Sequence, residues 1–288
     1  MKSATLLDRF SHVYRAQGIR GVVLAILRRI RRPQARSFSV ARELVTDATG
    51  FEIGGPSRIF DRGGLLPVYT VARRVDNCNF AAVTLWERDA SDGNAFYFSP
   101  SKAPGRQWVA EATHLGAVAD ESYDFILSSH SLEHTANPLK ALTEWNRILR
   151  SDGGLILVVP HKDGTFDHHR PVTTLNHLQE DYRANRGEDD LTHLSEVLAL
   201  HDASRDPSIH TLSLTERMRR NVEFRSMHHH VFDTKLAVNM VEWAGFTVRE
   251  VEPLLPDHII VVAEKSSAVA RSWRRAFRSP FPSDRDFV

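Results

Sequence analysis

Residues 123–134, YDFILSSHSLEH, and residues 137–160, NPLKALTEWNRILRSDGGLILVVP, decide how this chain reads. Tyr123 to Leu127 is a short apolar run of the kind that forms a buried strand. Asn137 stands as an N-cap before Pro138, and proline is best tolerated at a first helical position. Leu139, Leu142, Trp145, Ile148 and Leu149 then recur at helical spacing. Asp152-Gly153-Gly154 stops that helix. Leu155 to Val159 follows as an uninterrupted apolar run, suited to a parallel strand covered on both faces. Strand, helix, turn and strand make a βαβ unit.

Upstream, Gly50-Phe51-Glu52-Ile53 leads into Gly54-Gly55-Pro56-Ser57. A strand ending in an acid and a glycine pair suits a loop whose backbone approaches a ligand at the carboxyl edge of an open sheet. By itself the same stretch also reads as an ordinary turn. Asp76 lies 22 residues after Gly54. That is the separation at which a carboxylate takes ribose hydroxyls in nucleotide-type α/β folds. It is equally an acid in an Asp76-Asn77 turn. Trp108 to Ala110 reads as a third strand ending at Glu111-Ala112-Thr113, with a loop over residues 88–106 before it. Thr234 to Trp243 is a helix closed by Gly245. Phe246–Val251 and His258–Ala263 are two last strands. Their short connection makes them antiparallel neighbours.

The chain has 288 residues, 42% hydrophobic and 25% charged, the profile of a soluble globular protein. Its net charge of +1 hides basic ends. Residues 1–36 carry nine Lys/Arg against Asp8 alone, and Arg271 to Arg278 adds four arginines. Residues 5–32 read as an amphipathic helix with an arginine face, either docked on the domain or lying on an anionic membrane surface. Apart from Trp273 and Phe277, the terminal arginines lack interleaved aromatics, and no base-reading motif stands in the sequence, so nucleic acid is not the expected partner. Cys78 is the single cysteine, which excludes an intramolecular disulfide and suits a cytoplasmic setting. The apolar run Val22–Leu27 is too short to span a bilayer.

These pieces, in this order, resemble the class I S-adenosylmethionine-dependent methyltransferases of the methyltransferase type 11 kind. The resemblance covers roughly residues 40–160 and 230–265. It implies a Rossmann-like, doubly wound, seven-stranded α/β sheet with an antiparallel final hairpin. It divides the chain into a basic helical extension (1–38), the methyltransferase domain (39–265) with a polar, His-rich insertion at about 161–232, and a basic tail (266–288). It implies S-adenosyl-L-methionine as cofactor. Glu52 would lie beneath its methionine end, and Gly54 and Gly55 would pass its sugar. Asp76 would take the ribose hydroxyls. Glu111 and Ala112 would meet the adenine, and Ser129 and His130 would border the methionine. Pro56, after Gly55, departs from the glycine-richer family loop.

Methyl transfer to a hydroxyl needs alignment and a base, and histidine titrates where a base is useful. His161, His168, His169 and His229 are the candidate bases among 15 histidines. Asp167, His168, His169 and His230 are candidate ligands for a divalent metal such as Mg. The alternative is a polar rim that hydrogen-bonds a substrate. The polar insertion points to O-methylation of a saccharide or glycolipid. The basic start would suit a lipid or quinone methyltransferase at a membrane, and a non-catalytic scaffold on the same fold is the third reading. The sequence contains no signal for an oligomeric state.

Overall fold

The computed structural model describes residues 34–84, 89–206, 212–266 and 278–285, together with Ile19 and Val23. The expected helix over residues 5–32 lies outside these residues, apart from Ile19 and Val23, which are helical and exposed. Among the described residues no helix is long and apolar enough to cross a membrane.

Eight strands form one sheet: β1 (Thr49–Ile53), β2 (Arg74–Asn79), β3 (Ala95–Phe96), β4 (Gly105–Val109), β5 (Tyr123–Ser129), β6 (Leu149–Pro160), β7 (Phe246–Leu254) and β8 (His258–Lys265), in the order β3-β4-β2-β1-β5-β6-β8-β7. The expected seven are all present. The eighth, β3, is a two-residue edge strand antiparallel to β4, inside the stretch expected to be loop. Strands β4, β2, β1, β5 and β6 run parallel, and β8 and β7 close the sheet antiparallel. The three-residue connection from β7 to β8 leaves no length for a crossover, which is why this pair alternates direction.

Side-chain alternation builds a core on each face of the sheet. Ile126, Leu155 and Leu157 point to one face with Phe51, under the helices Pro138–Ile148 and Thr234–Trp243. Phe125, Leu127, Ile156 and Val158 point to the other, under the helix Phe38–Val45 and with Phe60, Leu66 and Tyr69. The helix Pro138–Ile148 starts as its sequence requires, with the Lys140 amide donating to Asn137 Oδ1 at 3.1 Å. Its fully buried Trp145 donates from Nε1 to the Ala112 carbonyl at 3.0 Å. A core residue of one helix thereby fixes the chain just beyond β4.

The segment after β6 folds into four short helices: Leu175–Arg183, Leu194–Leu200, Leu214–Arg219 and Asn221–Phe224. Val197, Met218 and Met227 give it a small core of its own. The sequence there carries too little apolar periodicity to announce more than the second and third of these helices. Residues 279–284, expected as part of a basic tail, pack back on the domain. Phe281 is buried, and the buried Asp284 accepts from Thr234 Oγ1.

Candidate functional site

Strand order reverses between β1 and β5, since β2 lies on one side of β1 and β5 on the other. Ligands of open α/β sheets bind at such a switch point, outside the carboxyl ends of the strands. A cavity of about 730 Å³ opens there, lined from below by the loops after β1, β2, β4 and β5 and from above by the insertion.

The loop after β1 is built from beneath. Glu52 is fully buried, and its carboxylate accepts from Tyr69 Oη at 2.5 Å and from the Ser57 amide at 3.1 Å. Burial pushes this carboxyl up to about 7, against the opposing pull of the Ser57 and Tyr69 hydrogen bonds. A Cβ on Gly55 would stand 2.3 Å from the Glu52 carboxyl carbon, so only glycine lets the loop close over the acid. Gly54 has φ +80°, and its backbone passes Ser131, whose hydroxyl donates to the Ile53 carbonyl at 3.2 Å. The Gly55–Pro56 peptide is cis. Asn77 completes the clamp: its Oδ1 accepts from the Gly55 amide at 2.9 Å. Gly54 and Gly55 line the cavity, whereas Glu52 lies one layer below and holds the loop.

Asp76 is displaced from its expected role. It sits mid-strand in β2, nearly buried. Its oxygens accept from the Arg106 amide at 2.8 Å, from Arg74 Nε at 2.8 Å and from Tyr123 Oη at 2.8 Å. Asp76 does not line the cavity. Strand β2 reaches the carboxyl edge at Asn79, three positions on, and Cys78, Asn79 and the following Phe80 line the cavity. A strand that runs further than its sequence suggested moved the edge by those positions.

Glu111 and Ala112 face the cavity beyond β4. Arg225, in left-handed backbone at the end of the helix Asn221–Phe224, brackets Glu111 with both guanidinium nitrogens, at 2.5 and 3.2 Å. The same guanidinium meets Glu188 at 2.9 Å and lies 4.9 Å over the Phe80 ring. Burial pushes the Glu188 carboxyl up to about 7 despite Arg225. Arg225 therefore fastens the insertion to the β4 loop. Its partner Glu111 was legible in the sequence, but Arg225 carried no signal there.

Ser129 ends β5, His130 follows it, and both line the cavity. His130 Nε2 lies 2.9 Å from His258 Nδ1. Burial would lower the His130 pKa, but the hydrogen bond to Glu133 and the charge of Asp257 outweigh it and raise it to about 8. This shift favours the protonated form of His130 near neutrality. Glu133 is fully buried, yet the His130 hydrogen bond and the neighbouring His134 and His228 hold its carboxyl below the usual range. His134 moves the other way, down to about 4, through burial and then the charge of His228.

His228 lines the cavity, and its Nδ1 meets Asp167 Oδ2 at 2.5 Å. Asp167 is itself buried and accepts from Arg170 Nη1 at 2.9 Å. Burial alone would raise this carboxyl, but His228 and Arg170 together bring it down to about 2. This immobilised carboxylate on Nδ1 orients the ring and turns Nε2 away from Asp167. Phe166 lies beside His228 with ring centroids 4.6 Å apart, and beside His201 at 4.5 Å.

None of the four candidate bases lines the cavity. His161 is fully buried, stacked on Phe281 with centroids 3.8 Å apart, and its Nε2 lies 3.2 Å from Asp284. It anchors the C-terminal segment. His168 pairs with Asp202 at 2.9 Å and packs against His169. His229 is fully buried against Asn221 at 3.0 Å, and burial drives its pKa to about 3. The candidate metal set also separates. Asp167 is taken by His228 and Arg170, His168 and His169 group with Asp202, and His230 joins His177, Asp181 and His193. These imidazole-dominated groups do not offer the oxygen octahedron that Mg demands. Adjacent histidines in an extended segment point to opposite sides. Only one of the run His228-His229-His230 reaches the cavity, and sequence without periodicity could not say which.

An open, mostly parallel sheet with its cavity at the switch point defines a doubly wound α/β protein of the nucleotide-binding type. Residues 69–157, about a third of the chain, match the family model described as a methyltransferase domain. Similar solved structures include a methyltransferase of Bacillus halodurans, with 12% identity, TM-score 0.46 and coverage of 80% of this chain and 98% of that one. Another is an S-adenosylmethionine-dependent methyltransferase of Mesorhizobium loti, with 14% identity, TM-score 0.45 and coverage of 80% and 98%. A Haloferax volcanii methyltransferase solved in complex with the Trm112 methyltransferase activator has 12% identity, TM-score 0.47 and coverage of 92% and 99%. Comparison with curated proteins found no match.

Proposed function

We propose that this chain is an S-adenosylmethionine-dependent methyltransferase that methylates a hydroxyl of a saccharide or glycolipid, with His228 as general base and Asp167 as the residue that orients it. The observation that carries this reading is the Asp167–His228 pair on the same cavity as the Gly54–Gly55 loop.

The residues below the cavity fit the cofactor. At Gly54 and Gly55 a Cβ would collide with Ser131 Oγ at 2.3 Å and with the Glu52 carboxyl, so bare backbone is what the loop presents. Asn79 takes the place first given to Asp76 and serves the ribose hydroxyls, since an amide both donates and accepts. Glu111 and Ala112 hold the adenine side, with Arg225 across them. When bound, S-adenosylmethionine supplies an electrophilic methyl group for in-line displacement.

The chain then has to orient the acceptor and remove its proton. The Phe166 ring offers an apolar wall for the C–H face of a sugar. His201, Asp206, Arg217 and Ser226 on the same cavity offer hydrogen bonds to hydroxyls. His228 Nε2 accepts the proton, and the imidazolium is stabilised by ionised Asp167. His130, whose surroundings favour its protonated form, is the poorer base and leaves that role to His228. The test is turnover by the purified chain on a panel of mono- and oligosaccharides, read as S-adenosylhomocysteine release and product mass. His228→Asn with normal cofactor affinity and lost turnover supports the assignment. Undiminished turnover refutes it.

A further inference from the structure

Away from the cavity, four side chains of the insertion converge: His177, Asp181, His193 and His230, one ligand atom of each lying within 4.8 Å of the others. We propose that they form a binding site for a single divalent transition ion of the zinc type, which clasps the insertion together.

The geometry is that of a coordination sphere. Zinc binds imidazole nitrogen and carboxylate oxygen at about 2.0–2.1 Å in a tetrahedron, so its ligand atoms stand about 3.3 Å apart. Here His177 Nε2 lies 3.2 Å from His193 Nε2 and 3.2 Å from Asp181 Oδ2. His230 Nε2 lies 3.8 Å from the same Asp181 oxygen. His177 and Asp181 are four residues apart in the helix Leu175–Arg183, so one helical face presents both. His193 directly precedes the helix Leu194–Leu200, and His230 comes from the extended stretch before Thr234.

The polar accounting points the same way. Asp181 is 6% exposed, yet its Oδ2 makes no hydrogen bond and meets only imidazole nitrogens, His177 Nε2 at 3.2 Å and His230 Nε2 at 3.8 Å. Buried polar atoms ordinarily find one. His230 Nε2 lies 3.1 Å from the Ala136 carbonyl, a bond it exchanges for the ion on ligation. Three imidazoles with one carboxylate is a borderline donor set, suited to zinc, cobalt or nickel and unsuited to magnesium or calcium. The other groupings are less suited. Each brings together three ligands rather than four, and His228 of one is already bound to Asp167.

An ion at this point would tie together three segments that share no strand pairing. One of them, residues 228–230, carries His228 into the cavity. The site stands on its own geometry and does not depend on the role given to His228.

The experiment uses the full chain, with any histidine tag removed, stripped by chelator and dialysed. Zinc is titrated in competition with a chromophoric chelator, and cobalt is added separately to read coordination from its visible spectrum. The expected result is one tightly held zinc, an intense blue tetrahedral cobalt spectrum and a raised thermal midpoint. The His177→Gln/His193→Gln double variant, checked by circular dichroism, should bind zinc about 100-fold or more weakly. The His168→Gln/His169→Gln variant should bind as the wild type does. A folded wild type that holds no stoichiometric zinc, a weak pink octahedral cobalt spectrum, or a folded His177/His193 variant with unchanged affinity would each overturn the proposal. The cobalt spectrum decides on the wild type alone should the variant not fold.

Discussion

His228 Nδ1 stands 2.5 Å from Asp167 Oδ2, across 61 residues of sequence, and this contact sets which way the imidazole faces. Asp167 is in turn gripped by Arg170, whose guanidinium also donates to the carbonyls of His228 and His229. The pair is thus held in one geometry by side chain and backbone together.

His228→Asn should lower kcat by about 10²–10⁴-fold, the usual worth of a positioned base. Asp167→Asn should lower kcat by about 10²-fold or more by releasing the tautomer. Calorimetry should find S-adenosylmethionine affinity unchanged in both, and the fall should lessen at high pH as the hydroxyl ionises without help. An effect confined to KM would assign the pair to acceptor binding alone.

Asp76 and Asn79 separate structure from binding. Asp76→Asn should cost about 1–2 kcal/mol by weakening its bonds to the Arg106 amide, Arg74 and Tyr123. Its cofactor affinity should stay near wild type. Asn79→Ala should lose cofactor affinity about 10-fold, with a smaller stability cost of about 1 kcal/mol for its Nδ2 bond to the Gly55 carbonyl. Equal affinity losses in both would return Asp76 to the ribose.

Glu52 gives stability a pH slope of defined sign. Its folded pKa, about 7, lies above the ordinary 4.5 because burial penalises the charge. The native state therefore keeps a proton that the unfolded chain has lost. The contribution is complete below pH 4.5 and disappears as pH rises through 7. Glu52→Gln should become more stable relative to wild type between pH 5 and 8, by about 1–3 kcal/mol at the upper end. Urea unfolding of both proteins across that range reads the difference, and a gap that narrows with rising pH would contradict it.

The C-terminal segment should behave as part of the domain. Asp284 accepts from Thr234 Oγ1 at 2.5 Å and faces His161 at 3.2 Å, all three fully or almost fully buried. Asp284→Ala should cost about 3 kcal/mol, the order expected when one partner of a buried pair is removed. His161→Asn should lower the thermal midpoint while leaving kcat within about twofold of wild type, since His161 does not line the cavity. A selective loss of kcat in His161→Asn would restore it as a catalytic candidate.

The framework was legible because its signals are local and repeated. Asn137-Pro138 and the stripe from Leu139 announce a helix that the structure starts as read but ends at Ile148, with Leu149 and Asp152-Gly153-Gly154 already in β6. The β7–β8 hairpin follows from a connection too short to cross over. Gly54, Gly55, Glu111, Ala112, Ser129 and His130 were read in sequence and do meet on one cavity. Glu52 was read in the same loop but supports it from below, because its strand turns the side chain into the layer under Gly55.

The insertion resisted reading for a physical reason. Its helices are short, its core is three buried residues with a few partly buried neighbours, and its histidines have no period that assigns a face. Which imidazole meets solvent, a carboxylate or another imidazole depends on partners 16 to 94 residues away, such as His193 for His177 and Ala136 for His230. By itself the sequence determined the α/β sheet, its closing hairpin and the loops that rim the cavity, because hydrophobic period and turn chemistry act over a few residues. Only the tertiary structure decided that Asp76 is a strut, that Asn79 reaches the edge, and that His228 alone of its run turns toward the cavity. Those outcomes depend on strand length and long-range pairing, which no local pattern encodes.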